Sequence, residues 1–121
     1  MTLHQLLALP PGGLDKAAAR AMGWREHKPG VWQAAADCWY ATGEYRPGMP
    51  RYWTPSTDYN DAALLRYECG RRNCYTSFTN ALARIVGCTF DAESYWDDLG
   101  LVADASPRQV TAAAVATLEG S

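Results

Sequence analysis

The segment RYWTPSTD, at residues 51–58, gathers residue types that suit the binding of a phosphate-bearing ligand. An aromatic ring can stack on a nucleobase, and an arginine can form paired hydrogen bonds with a phosphate. A helix that begins at a serine or threonine offers free N–H groups to an anion. A plain capped helix, with Trp53 in the core or at an interface, explains the same residues and is the alternative. The predicted ligand-binding residues are Arg51, Tyr52, Trp53, Ser56, Thr57, Asp58, Arg71 and Arg72.

Arg71 and Arg72 have a simpler interpretation as well. They follow Gly70 at the expected end of a helix, where positive side chains interact favourably with the helix dipole. We therefore weigh an anion contact at these two arginines against a purely structural role.

Motifs for catalysis are absent from the sequence, which has no P-loop, GxGxxG, HExxH or nucleophile elbow. His4 and His27 are isolated, and we interpret both as exposed loop residues. We predict no catalytic residues, no metal and no cofactor. A metal-assisted nucleotide hydrolase is the minor alternative, because paired carboxylates can hold magnesium. It would need the acidic cluster at Asp91, Glu93, Asp97 and Asp98, which a solvated surface also explains.

Aromatic residues are abundant, with five tryptophans and seven tyrosines. Aromatic rings at this density belong either to a core or to a contact surface, since they combine a large apolar area with a polar N–H or O–H group. The second candidate function is therefore protein–protein interaction. The predicted interaction surface consists of Trp24, Trp32, Trp39 and Tyr40.

The four cysteines, at positions 38, 69, 74 and 88, show no CxxC pair. A structural zinc site usually has two close pairs of ligands. We favour buried or half-buried reduced thiols that pack as small hydrophobic groups. A metal site or a disulfide is the alternative.

Composition limits the classes of partner. Hydrophobic residues make up 48% of the 121 residues and charged residues 20%, with a formal net charge of −2. This balance indicates a folded protein and argues against a binder of long nucleic acids or anionic membranes. No stretch reaches the roughly 18 apolar residues of a membrane span, and the first residues lack the pattern of a signal peptide. We therefore expect a cytoplasmic location.

Local signals divide the chain, which we predict to be a single domain, into five parts. Residues 1–23 form a helical N-terminus, with Thr2 as a cap, a break at residues 10–13 and Gly23 as a left-handed end. Residues 24–55 form an aromatic-rich β region with Pro-Gly turns. Helix 57–69 starts at Ser56 or Thr57. Residues 72–104 form a second β region, although residues 80–90 fit a strand or a helix equally well.

The last predicted helix, at residues 107–119, has the clearest start. Ser106 and Gln109 form the capping box S-x-x-Q, and Pro107 occupies the first helical position. The element order predicts an α+β fold with a small, largely antiparallel sheet covered by helices. The helices would cover one or both faces of this sheet, and the family resemblance described next implies a three-layer α/β/α sandwich.

Three stretches together resemble the phage ABA sandwich domain family. They are LDKAAARAMGW at residues 14–24, PSTDYNDAALL at residues 55–65 and DASPRQVTAAAVATL at residues 104–118. The resemblance implies a short phage- or prophage-encoded protein with three layers, in a bacterial host. It supplies no catalytic residues. Residues 33–51 have no counterpart in it.

These observations lead to two functional hypotheses. The first is a phage accessory protein that binds and sequesters a small ligand without turnover, such as a cyclic nucleotide that signals host immunity. The second is an interaction module that engages a host or phage protein through its tryptophans and tyrosines. We also expect a homo-oligomer.

Overall fold

The computed structural model describes residues 1–43, 48, 51–88 and 95–120, which contain six helices and three strands. The helices account for most of the described residues, and the strands are short. In chain order the elements are α1 (Leu3–Ala8), α2 (Pro11–Ala21), β1 (Arg25–Lys28), β2 (Val31–Ala35), β3 (Cys38–Ala41), α3 (Tyr59–Arg71), α4 (Tyr75–Val86), α5 (Tyr95–Ala103) and α6 (Pro107–Glu119).

Capping boxes start the first and the last helix; the box at α6 was predicted, and at α1 the prediction was Thr2 as a cap. The Ser106 hydroxyl accepts a hydrogen bond from the Gln109 N–H at 3.1 Å, and the Gln109 side chain accepts one from the Ser106 N–H at 2.9 Å. Thr2 and Gln5 form the same pair of bonds at α1. These bonds satisfy N–H groups that have no partner inside the helix. The predicted bounds of α6 are confirmed.

Helix α2 begins earlier than expected. Pro10 to Gly13 were predicted to separate two helices, but α2 starts at Pro11 and includes both glycines. A proline at the first helical position needs no N–H partner, and its ring already sets a helical φ. The break is therefore short and centred on Leu9 and Pro10. Gly23 ends the helix with φ +82°, which confirms the predicted left-handed residue.

The strands form one antiparallel sheet in the order β1-β2-β3. Gly30, with φ +77°, lies in the turn between β1 and β2, as the Pro-Gly pair predicted. In the register, Trp32 faces Glu26 on one side and Tyr40 on the other. A single parallel bridge joins Ala41 to Tyr52. The predicted aromatic-rich β region is confirmed in these strands.

The predicted β region at 72–104 is wrong, because residues 75–86 and 95–103 are helical. Phe78, Ala81, Leu82 and Ile85 recur at the spacing of one helix face, and the first three are buried. Burial of this face against α6 outweighs the β preference of the aromatic and threonine residues near Tyr75. Gly87, with φ +80°, ends α4.

Helix α6 lies at the centre of the helical part of the molecule. Helices α1, α2, α3 and α4 each make their most extensive contacts with it, and the strands chiefly contact one another. Ala112, Ala113, Ala114 and Val115 are fully buried. Small side chains let four neighbouring helices approach one helix closely. The α+β class is confirmed. A three-layer arrangement would place the helices against the sheet, whereas here α1 to α4 pack around α6.

Candidate functional site

Trp53 lies in the core, not on a binding surface. Its side chain is fully buried, and its ring centre lies 4.5 Å from that of Trp24 and 5.9 Å from that of Tyr40. Trp24 and Tyr40 stack at 4.7 Å. We call these three residues the aromatic cluster. It joins the sheet to the segment before α3, and it leaves Trp53 unavailable for stacking on a ligand, which corrects its predicted role.

Trp32 is also a core residue, which corrects its assignment to an interaction surface. It is 1% exposed, and its indole N–H donates to the Thr42 hydroxyl at 3.0 Å. The guanidinium of Arg20 lies 5.6 Å from the ring centre. Of the four predicted surface aromatics, Trp24 and Tyr40 are half-buried in the aromatic cluster. Trp39 is half-buried beside His27, whose ring centre is 5.2 Å away.

Ser56, Thr57 and Asp58 each have a different structural role. Ser56 is buried, and its N–H donates to the Asp15 carboxylate at 2.9 Å. Thr57 is exposed and donates to the Thr54 carbonyl at 3.4 Å. Asp58 is the N-cap of α3, where it accepts hydrogen bonds from two N–H groups of the first turn. The predicted cap at Ser56 or Thr57 is therefore wrong, and these N–H groups already have an acceptor.

Arg71 and Arg72 converge on one carboxylate. Nε of Arg71 lies 3.1 Å from Glu68, and Nε of Arg72 lies 2.8 Å from it. Hydrogen bonds from Arg71, with a further contribution from Arg72, hold the pKa of Glu68 below its ordinary value. Glu68 thus neutralises part of the positive charge of the two arginines, as their structural interpretation predicts. The Arg71 side chain nevertheless remains 60% exposed.

Arg51 and Trp39, both predicted from the sequence, lie at one shallow depression of about 380 Å³. Asp37 and Cys38 complete its lining. Nη1 of Arg51 lies 3.9 Å from the Cys38 sulfur, and the side chain of Tyr40 raises the pKa of Arg51. We call this the ribbon depression. Tyr52 is half-buried in the neighbouring bridge.

A second depression, which the sequence did not predict, lies where α3 ends and α4 begins. It has a volume of about 410 Å³ and is lined by Ala63, Arg66, Tyr67, Gly70, Arg71 and Tyr75. Tyr67 is 70% exposed and Tyr75 is 49% exposed. We call it the tyrosine groove. Two exposed aromatic rings and two guanidinium groups therefore surround one wide, open depression.

Phe78 positions much of the groove from below. It is buried, and the Arg66 guanidinium lies 5.6 Å from its ring centre, in a cation–π contact. The Tyr75 ring centre lies 5.7 Å from that of Phe78. Ala63 and Gly70 leave the groove open, since a side chain at Gly70 would meet no atom within 4 Å. The small residues Ala63 and Gly70 of α3 thus leave space beside the rings of Tyr67 and Tyr75.

The signal for this groove was present in the sequence. Ala62, Leu65 and Cys69 form the apolar stripe of α3 that faces the core. Tyr67 and Tyr59 lie outside this stripe and are exposed. Large aromatic side chains on the polar face of an amphipathic helix are a sign of a contact surface. What the sequence could not indicate was the position of Tyr75, because it belongs to a helix that was predicted as β.

Comparisons with known proteins add no assignment, since no family model, curated protein or solved structure matches the chain. The resemblance to the phage ABA sandwich domain family therefore stays a prediction. None of the helices in the described residues has the length and apolar composition to cross a lipid bilayer.

The minor hydrolase hypothesis depends on the acidic cluster. Asp91 and Glu93, together with the side chains of Asp97 and Asp98, lie outside the part of the chain that the structure describes. Within that part, His, Cys, Asp and Glu side chains do not form a group of three that could hold a metal ion.

Proposed function

We propose that this chain binds a small ligand with an aromatic base and a phosphate, without turnover, and that the tyrosine groove is the binding site. The observation that carries the proposal is the placement of Tyr67 and Tyr75 beside Arg66 and Arg71 at one open depression. The groove has the volume of small-molecule sites, which are roughly 300–1,000 Å³. The rings offer stacking, and the arginines offer hydrogen bonds to phosphate.

The groups that line the groove suit binding better than catalysis. Tyrosine rings offer stacking surfaces and guanidinium groups offer fixed hydrogen-bond donors, and the described lining of the groove contains no histidine, cysteine or carboxylate. This supports a sequestering role, and a cyclic nucleotide that signals host immunity is the natural ligand if the chain is phage-encoded.

Calorimetric titration with mononucleotides and cyclic dinucleotides tests this proposal on the full chain. We expect Tyr67→Ala and Arg71→Ala each to weaken binding, and loss of a stacked base costs about 1–3 kcal/mol, or about 5- to 150-fold in affinity. Tyr67→Phe retains the ring and should retain most of the affinity. Leu64→Ala, at an exposed position on the same helix, is the matched control.

Two outcomes would contradict the proposal. Absence of binding for every nucleotide would exclude nucleotides as the ligand class. Equal affinity of wild type, Tyr67→Ala and Leu64→Ala would show that the ligand does not bind in the tyrosine groove. Recovery of the ligand after denaturation separates binding from turnover, since a sequestering protein returns it intact.

The ribbon depression favours a second function, the interaction of the chain with another protein. Tryptophan and arginine are enriched among the residues that dominate interface energies, and Trp39 and Arg51 line this surface together. In an affinity capture experiment, Trp39→Ala should lose a partner that Tyr67→Ala retains. The opposite pattern would assign the partner to the tyrosine groove. Light scattering after gel filtration tests the predicted homo-oligomer.

A further inference from the structure

The junction between α3 and α4 is a Schellman motif closed by two cysteines. The Cys74 N–H donates to the Cys69 carbonyl at 2.9 Å, and the Asn73 N–H donates to the Gly70 carbonyl at 3.1 Å. Asn73 has φ +59°, the left-handed conformation that this motif requires. The outer hydrogen bond brings the backbones of Cys69 and Cys74 side by side.

The Cys74 side chain also turns back onto Cys69. In a Schellman motif, the residues at the ends of the outer hydrogen bond commonly pack together. Here the Cys74 thiol donates to the Cys69 carbonyl at 3.3 Å. Cys69 is fully buried, and Cys74 is half-buried. Burial, with a contribution from the Cys74 thiol, raises the pKa of Cys69 to about 12.

We propose that Cys69 and Cys74 are a redox modification site, at which a reversible disulfide links the end of α3 to the start of α4. A disulfide needs its two Cα atoms about 4.4–6.8 Å apart, with the Cβ atoms directed toward each other. The outer hydrogen bond holds the two backbones beside each other, and the Cys74 sulfur already lies 3.3 Å from the Cys69 carbonyl oxygen, so both cysteines belong to the same junction. The proposal rests on this junction and does not depend on the proposed function.

A low-molecular-weight disulfide such as oxidised glutathione is the oxidant. The Cys74 thiolate attacks one of its sulfur atoms and releases the first glutathione thiolate, which leaves a mixed disulfide on Cys74. Cys69 then loses its proton and attacks the Cys74 sulfur, and the departing second glutathione thiolate takes up a proton. The two cysteines are oxidised, and one oxidised glutathione becomes two reduced molecules.

The order of attack follows from exposure. Cys74 is half-buried and can meet the oxidant, whereas Cys69 is sealed in the core and reacts second. Because the thiolate is the nucleophile, and the pKa of Cys69 is high, closure of the disulfide should accelerate as the pH rises.

Peptide mapping detects the product directly. The native full chain is incubated with excess oxidised glutathione, blocked with acid and then N-ethylmaleimide, and digested with trypsin. Arg71 and Arg72 lie between the two cysteines, so trypsin separates the peptides YECGR and NCYTSFTNALAR unless a disulfide joins them. We expect this linked pair, a fall from four free thiols to two, and full reversal with dithiothreitol.

Variants locate the reaction. Cys74→Ser, at a half-buried position, should abolish the linked pair, and circular dichroism verifies that it folds. A variant with both Cys38→Ser and Cys88→Ser should form the pair as wild type does. Glutathione adducts without the linked pair, or linked peptides that contain Cys38 or Cys88 in equal yield, would overturn the proposal.

Discussion

At the residue scale, the Asp15 carboxylate accepts a hydrogen bond from the Ser56 N–H across a separation of 41 positions. Asp15 is only 4% exposed. Burial raises the pKa of Asp15 and outweighs the hydrogen bonds from Ser56, which lower it, and nearby Asp61 raises it further. The folded state therefore binds this proton more tightly than the unfolded state does.

This difference predicts a pH dependence of stability. The contribution of Asp15 is fully present below the ordinary aspartate pKa of 3.8 and is lost as the pH rises through the raised pKa of the folded state. Asp15→Asn retains the side-chain acceptor and removes the charge. Urea unfolding at a series of pH values should therefore show that the free energy of unfolding of wild type falls relative to that of Asp15→Asn over this window. Parallel profiles would contradict the expectation.

Asp15→Ala tests the hydrogen bond itself. It leaves the buried Ser56 N–H without its acceptor, and we expect a loss of about 1–3 kcal/mol in the free energy of unfolding. Asp15→Asn is the matched control, because it keeps an oxygen at the same position. Equal stability of the two variants near neutral pH would show that the Ser56 contact contributes little.

At the scale of an element, α6 depends on its capping box. Ser106→Ala removes the acceptor for the Gln109 N–H and should lower the free energy of unfolding by about 0.5–2 kcal/mol. Ser77→Ala, at an exposed position inside α4, is the control and should change it little, because alanine is the better helix former. The two variants are compared by urea denaturation.

The elements also divide into those that local sequence predicts and those that it does not. The caps of α1 and α6 and the turn at Gly30 each satisfy backbone groups within a few residues, and all were predicted. Helix α4 was not, because Tyr75, Thr76 and Phe78 favour strands by type. Their helical state depends on a partner, α6, that lies far away in the sequence.

At the scale of the whole molecule, α6 is the helix on which α1, α2, α3 and α4 pack, so it should tolerate no added volume. Ala113 is fully buried, and Ala113→Leu should lower the free energy of unfolding by about 1–3 kcal/mol through overpacking. Ala63→Leu adds the same volume at an exposed position of the tyrosine groove. It should leave stability within about 0.5 kcal/mol of wild type and weaken ligand binding. Thermal unfolding and calorimetric titration measure the two effects.

The sequence by itself determined the caps of α1 and α6, the left-handed conformation of Gly23 and Gly30, the aromatic-rich β region and the α+β class, because each depends on side chains and backbone groups a few positions apart. Only the tertiary structure decided that Trp53 is buried and that Tyr75 lies at the same groove as Tyr67. Burial depends on what distant segments bring to the same place. Trp24, Tyr40 and Trp53 come from separate segments and pack together, and the end of α3 meets the start of α4 around an open groove.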